Sequence, residues 1–184
     1  MARHYSAREH KYEALSTAAT GFFISGLLRC AEYPQQSPPK QVIAAGRVLV
    51  EKAFHRDAEL FISDFGSAEN HPRKWAYFFD CLIAIRALID LSKATKDSLY
   101  RECAQKCGIG IKRNLSRMDG SFFPVHDIDR DMPYEADEPW SLQTAVYHLK
   151  ALPIFLELTE ATGLYEFKAM GDDDFEASRK LSGG

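Results

Sequence analysis

Apolar residues return every three or four positions along nearly the whole chain, and no stretch alternates long enough to read as a strand. The pattern predicts a first helix from the capping-box run Ser6-Ala7-Arg8-Glu9 to about Ala31. The proline-rich run Tyr33 to Pro39 breaks it, and Ser37 followed by two prolines opens a second helix. Val42, Ala45, Leu49, Ala53 and Phe54 form the apolar side of that helix, which Leu60, Phe61 and Phe65 prolong. After a loop over 64–73, a third helix over 74–95 is apolar on most sides and must be enclosed. A more polar fourth helix covers 98–117. A long loop, 118–138, leads to a fifth over 139–161, where Pro153 removes the amide bond to Leu149 and predicts a kink. Residues 1–170 read as a single helical-hairpin domain. The tail 171–184, with Asp172-Asp173-Asp174 and two closing glycines, is either a short sixth helix or partly disordered.

The segments repeat. Leu91-Ser92-Lys93-Ala94-Thr95 is echoed by Leu158-Thr159-Glu160-Ala161-Thr162, and each is soon followed by Leu-Tyr, at Leu99-Tyr100 and Leu164-Tyr165. Trp75 and Trp140 open the corresponding helices, and Ala31 holds the matching place in the first. Ala31, Ala94 and Ala161 stand 63 and 67 residues apart. Two helices per period give an all-α fold of about three stacked αα-hairpins, five to six helices, as a partial α/α toroid or a short solenoid. The turns within hairpins are short and the loops between them long. The long loops therefore gather beside the N-termini of helices one, three and five, the end where function tends to sit.

Composition narrows the field. At 184 residues, 46% hydrophobic, the chain is one ordinary domain. Lys+Arg 23 against Asp+Glu 26 gives a net charge of −3, which offers nothing to nucleic acid. The longest uncharged run, Ala14 to Leu28, falls short of the roughly 20 residues a membrane span needs. With no secretory signal and Cys30 and Cys81 inside apolar helical runs, the expectation is a soluble protein of the reducing cytoplasm. Cys103 and Cys107 lie four apart on one helical face, but nothing nearby completes a four-ligand zinc set. Neither a phosphate-binding glycine loop nor a nucleophile elbow is present.

Candidate chemistry concentrates in 119–140. Asp127, Asp129, Asp131, Glu135 and Glu138 occupy positions 1, 3, 5, 9 and 12 of a calcium-type loop. Position 6, where glycine makes the turn, is Met132, followed by Pro133, so a solvated acidic loop is the other reading. No other cofactor is implied. Asp119 and Asp127 could act as the two acids of glycosidic chemistry, with His126 as acid or base. Phe122, Phe123, Tyr134, Trp140 and Trp75 would stack on sugar faces. Asp119 before Gly120 is also a turn signal. The loop carrying Glu69, His71 and Arg73 opens at the same end. Asp80, in an otherwise apolar stretch, needs a partner or a raised pKa, and His148 is a further candidate at the substrate. No pair of acids stands out at equivalent repeat positions.

The run Met118 to Pro124, then Pro139-Trp140-Ser141 and Tyr147 to Leu152, with the Leu-x-x-Ala-Thr helix endings, resembles α/α-toroid proteins over about residues 10 to 167. That superfamily holds six-hairpin glycosidases, unsaturated uronyl hydrolases, sugar epimerases, some polysaccharide lyases and terpenoid cyclases. The resemblance implies a carbohydrate-handling protein acting on a sugar or uronic-acid polymer through the Asp119–Trp140 loop, by hydrolysis, elimination or epimerisation. The alternative is a non-catalytic scaffold that binds a protein partner through its open apolar face. A closed toroid has six hairpins, so a second copy or a partner chain is expected to complete the ring.

Overall fold

The computed structural model describes residues 2–6, 11–30, 38–65, 74–134 and 149–182. Among them are six helices: α1 (Thr17–Cys30), α2 (Lys40–Val48), α3 (Phe78–Thr95), α4 (Ser98–Leu115), α5 (Ala151–Thr162) and α6 (Tyr165–Ser182). A π-helical turn, Leu49–Ala53, extends α2. The first helices of the three pairs lie side by side with α3 in the middle. α2 packs on both α1 and α3, α4 on both α3 and α5, and α6 on α5. This is the inner and outer layering of a partial toroid. Its core is continuous from Ile24 and Val42 through Leu82, Ile85 and Leu88 to Ile154 and Phe167.

The helix starts depart from the periodicity. Strands β1 (Ala2–Ser6) and β2 (Lys11–Ser16) form an antiparallel pair where the first helix was expected to begin, and β2 also pairs with β5 (Asp64–Phe65). The cap of α1 is Ser16, whose Oγ accepts the Ala19 amide at 3.3 Å; Thr17 N–H goes to Ser63 O at 2.8 Å. Those long-range bonds hold the preceding residues extended, which local pattern does not reveal. Leu60, Phe61 and Phe65 do not prolong the second helix either. The chain reverses through β3 (Phe54–His55) and β4 (Leu60–Phe61) and buries all three beneath the helices. α3 starts at Phe78 because 75–77 pair as strand β6 (Trp75–Tyr77), so Trp75 precedes the helix rather than opening it. Pro153 is the third residue of α5, where its missing amide is one the first turn leaves free, so it starts the helix instead of kinking it. The boundary expected at 170 falls within α6, which carries buried Asp174, Ala177 and Ser178.

The repeat appears as repeated contacts. Thr95 and Thr162 each donate their hydroxyl to the carbonyl four residues back, Leu91 and Leu158, at 2.7 Å. Lys96 and Gly163 then end the helices in the left-handed conformation, φ 61° and 77°. At the outer seams a Cβ on Gly46 would meet Leu91 Cδ1 at 2.3 Å and Tyr100 Cε1 at 3.1 Å. One on Gly108 would meet Leu158 Cδ2 and Phe167 Cε1, both at 2.7 Å. Leu91 and Leu158 are 67 residues apart, and so are Tyr100 and Phe167. Tyr100 therefore matches Phe167, and the Leu-Tyr echo at 164–165 is out of register by two.

Candidate functional site

The long loop between α4 and α5 is partly a sheet. β7 (Val125–Asp127) lies between β6 and β8 (Met132–Tyr134), antiparallel to both. Its register aligns Trp75, Asp127 and Met132 in one row and Tyr77, Val125 and Tyr134 in the next. Paired residues of antiparallel strands share a face, so three half-buried aromatics stand together: Trp75 is 6.0 Å from Tyr77 and 5.7 Å, edge-on, from Tyr134 between ring centroids. The other face carries Ala76, His126 and Pro133. The sheet is bolted to the start of α3 by Phe78 N–H to Pro124 O, 2.9 Å, and to the preceding segment by Tyr77 N–H to Ser63 Oγ, 3.0 Å.

Turn formation organises the acids. Asp127 is buried; its Oδ1 accepts the amides of Asp129 and Arg130 at 3.1 and 3.2 Å, and Arg130 Nε stands 3.8 Å from its Oδ2. Asp129 Oδ2 accepts the Lys74 amide at 3.1 Å. Asp131 holds a positive φ of 51° and places Oδ1 3.3 Å from His126 Nε2. His126 is only 1% exposed, and neither ring nitrogen has an aligned hydrogen bond. Three acids of the calcium pattern thus serve three different partners, and among the described residues no three His, Cys, Asp or Glu converge on a metal position. Glu135 and Glu138 lie outside the described residues, as do Trp140, His148, Glu69, His71 and Arg73.

Other expected site residues take structural places. Asp119 is exposed at the turn after α4, accepting the amide and hydroxyl of Ser121 at 3.0 and 2.6 Å before Gly120 at φ 88°. Those two bonds hold its carboxyl below the ordinary carboxylate range. Phe122 is a correction: it is 1% exposed, stacked on Phe78 at 4.7 Å and touching Phe155 at 5.9 Å, with no face left for a sugar. Phe123 lies under the Arg117 guanidinium at 4.3 Å. Asp80 is buried in the first turn of α3 and has interaction partners there.

The sequence reading missed the open stripe of the inner helices. On α3 the incompletely buried positions Phe79, Arg86 and Asp90 follow helical spacing along one side. Near the N-terminal end, Phe22 of α1 lies 6.2 Å from Phe79, and Lys150 Nζ sits 5.2 Å from the Phe79 ring. Toward the other end, Arg29 forks onto Asp90 through Nε at 2.8 Å and Nη2 at 3.0 Å, and reaches Glu157 at 3.4 Å; Arg86 Nε meets the same Glu157 oxygen at 3.0 Å. The hydrogen bond to Asp90 raises the Arg29 pKa further. Asp90 and Glu157 each precede the leucine of a Leu-x-x-Ala-Thr ending, 67 residues apart. They are a pair of acids at equivalent repeat positions, and the signal lay one residue outside the motif.

No protein-family model and no curated protein matches the sequence. Solved structures match the fold. A GH76 α-mannanase of Bacteroides thetaiotaomicron superposes with a TM-score of 0.73 at 11% identity, covering 98% of this chain and 48% of that one. Cellobiose 2-epimerase of Bacillus thermoamylovorans gives 0.70 at 14%, covering 95% and 44%. The unsaturated glucuronyl hydrolase of Bacillus sp. GL1 gives 0.67 at 17%, covering 87% and 45%. The chain has the fold of part of an α/α toroid, and it spans somewhat less than half the length of the proteins it resembles.

Proposed function

We propose that this chain is a carbohydrate-handling half-toroid, acting on a sugar or uronic-acid polymer at the N-terminal ends of its inner helices. The observation that carries the reading is the aromatic face of Trp75, Tyr77 and Tyr134, shared with buried Asp127, on a thin sheet whose opposite face carries His126 paired with Asp131. Sugar rings present C–H faces to aromatic side chains, and their hydroxyls need polar groups that fix orientation. Hydrolysis, elimination and epimerisation all need a group that moves a proton, and the imidazole of His126 is the side chain assigned to it. Asp131 Oδ1 stands 3.3 Å from Nε2, and among the described residues Nδ1 has no hydrogen-bond partner. The mannanase, epimerase and glucuronyl hydrolase of the same fold are sugar enzymes by name, which supports the substrate class.

The reading includes ring completion by a second copy or a partner chain and residence in the cytoplasm. Among the described residues no helix is long and apolar enough to cross a membrane, and Cys81, Cys103 and Cys107 are free thiols. The test is a panel of neutral and uronic-acid oligosaccharides followed by tryptophan fluorescence and product analysis, with light scattering for oligomeric state. Binding lost in Trp75→Ala, and turnover lost in His126→Gln with binding kept, are the expected results. A second reading, a non-catalytic scaffold, is favoured by apolar Phe22, Leu27, Leu149 and Leu156, exposed on the flanking helices α1 and α5 and the turn before α5. Absence of binding to any glycan, together with a tight protein complex in pull-down, would decide for the scaffold. A melting temperature unchanged between calcium and chelator would remove the acidic loop as a calcium site.

A further inference from the structure

The outer layer carries a concave site that the carbohydrate reading leaves unused. A cavity of about 360 Å³ opens between the π-helical turn after α2, the β3–β4 hairpin and the first half of α4. Its apolar wall is Val50, Phe54, Leu99 and Cys103. Burial pushes the Cys103 thiol up to about 12, so it lines the wall as a neutral group rather than a nucleophile. At the rim stand Arg56 and Lys106, which make no hydrogen bond or ion pair among the described residues, and the carboxylates Glu59 and Glu102. Glu59 is already held by Arg113 Nη1 at 3.1 Å, which leaves two unpaired cations against Glu102.

The mouth is firmly built. Glu59 keeps a positive φ of 54°, a conformation that costs a non-glycine residue energy and persists only when its surroundings impose it. Here Arg113 Nη2 donates to Asp57 O at 2.8 Å and Asn114 Nδ2 to Ala58 O at 2.7 Å. Gly110 lets the strap lie directly on α4, where a Cβ would stand 2.2 Å from Glu59 O. The neighbouring wall comes from a π-turn, a rare element that often marks functional positions in helices.

We infer that this outer pocket binds a small organic monocarboxylate with an apolar body, its carboxylate at Arg56 and Lys106 and its body against Val50, Phe54 and Leu99. The volume lies at the lower end of the range for small-molecule sites, roughly 300–1,000 Å³. The guanidinium of Arg56 matches a carboxylate's two oxygens. Glu102 beside the same rim opposes a second negative charge, which selects against phosphate-like dianions. The site is on the outer layer, so it stands or falls independently of the sugar site.

The test is a titration of the whole chain with 4-phenylbutyrate and with its neutral amide, read by methyl resonances of Val50 and Leu99. Saturable shifts with the carboxylate are expected, with binding about tenfold weaker or worse for the amide, a difference of about 1.4 kcal/mol. Lys106→Glu and Arg56→Glu, both at exposed positions, are expected to weaken the carboxylate at least as much without lowering the melting temperature. Leu99→Trp is expected to fill the cavity and abolish the shifts of the remaining Val50 methyls. Absence of saturable shifts, equal affinity for the amide, or wild-type affinity in Lys106→Glu would each overturn the proposal. Lys106→Glu keeps the test decisive even where Leu99→Trp fails to fold.

Discussion

The two ends of the inner helices obey different rules. At their C-terminal ends α3 and α5 are built alike: a threonine hydroxyl on the carbonyl four residues back, a left-handed residue, and an acid one position before the repeat leucine on the Arg29–Arg86 cluster. At their N-terminal ends the described residues show no repeat. α1 is entered from β2, α3 from β6, and α5 from a turn at 149–150 with Pro153 in its first turn. The repeated end joins α1, α3 and α5 through the Arg29–Asp90–Glu157–Arg86 cluster. The irregular end is where the aromatic sheet and the His126–Asp131 pair sit.

That division can be broken by mutation. The largest effect is expected at Phe122→Ala, which should lower unfolding free energy by about 3–5 kcal/mol in urea titration, because the ring is core despite its place in the irregular end. A loss below about 1 kcal/mol, with sugar binding gone, would return Phe122 to the site. Gly46→Ala and Gly108→Ala should each cost about 1–3 kcal/mol by overpacking, and by similar amounts, since the two glycines face repeat-equivalent side chains. A neutral Gly46→Ala beside a costly Gly108→Ala would show that the seams are not equivalent.

Two smaller effects sharpen the contrast. Gly163→Ala should cost about 1–2 kcal/mol because alanine resists the left-handed conformation. Lys96→Gly at the matching position should stabilise, with opposite signs visible in thermal melts. The smallest effect is at Asp119, an exposed group. Its folded pKa lies below the ordinary 3.8, so its contribution is present above that pH and fades as pH falls through the depressed value. Ser121→Ala removes the hydroxyl bond and keeps the amide bond, and carboxyl NMR should then show the Asp119 titration moved up toward the ordinary 3.8. A titration unchanged by Ser121→Ala would mean that the Ser121 hydroxyl is not what lowers the carboxyl.

Much of the fold was legible because helix ends and repeats are local. Leu91 to Thr95 and Leu158 to Thr162 announce the same helix ending wherever they occur, and Asp97 caps α4 as its type and place suggest. Ser6 misled because a capping box is only a preference; it yields when β2 finds a partner in Asp64–Phe65, far along the chain. Trp75 was set on a helix, since a three-residue strand leaves no period to read. Asp119 and Asp127 attracted notice as catalytic acids, and the hydrogen bonds the structure gives them are turn bonds.

The sequence by itself determined the helical hairpins and their repeat, because periodicity and helix endings act between residues a few positions apart. Only the tertiary structure decided which side chains meet at the irregular end. It set Trp75, Tyr77 and Tyr134 on one face, drew His126 beside Asp131, and joined Arg29, Asp90 and Glu157 across three helices. Those contacts link segments tens of residues apart, and their geometry is fixed by strand register and by the depth of helix packing.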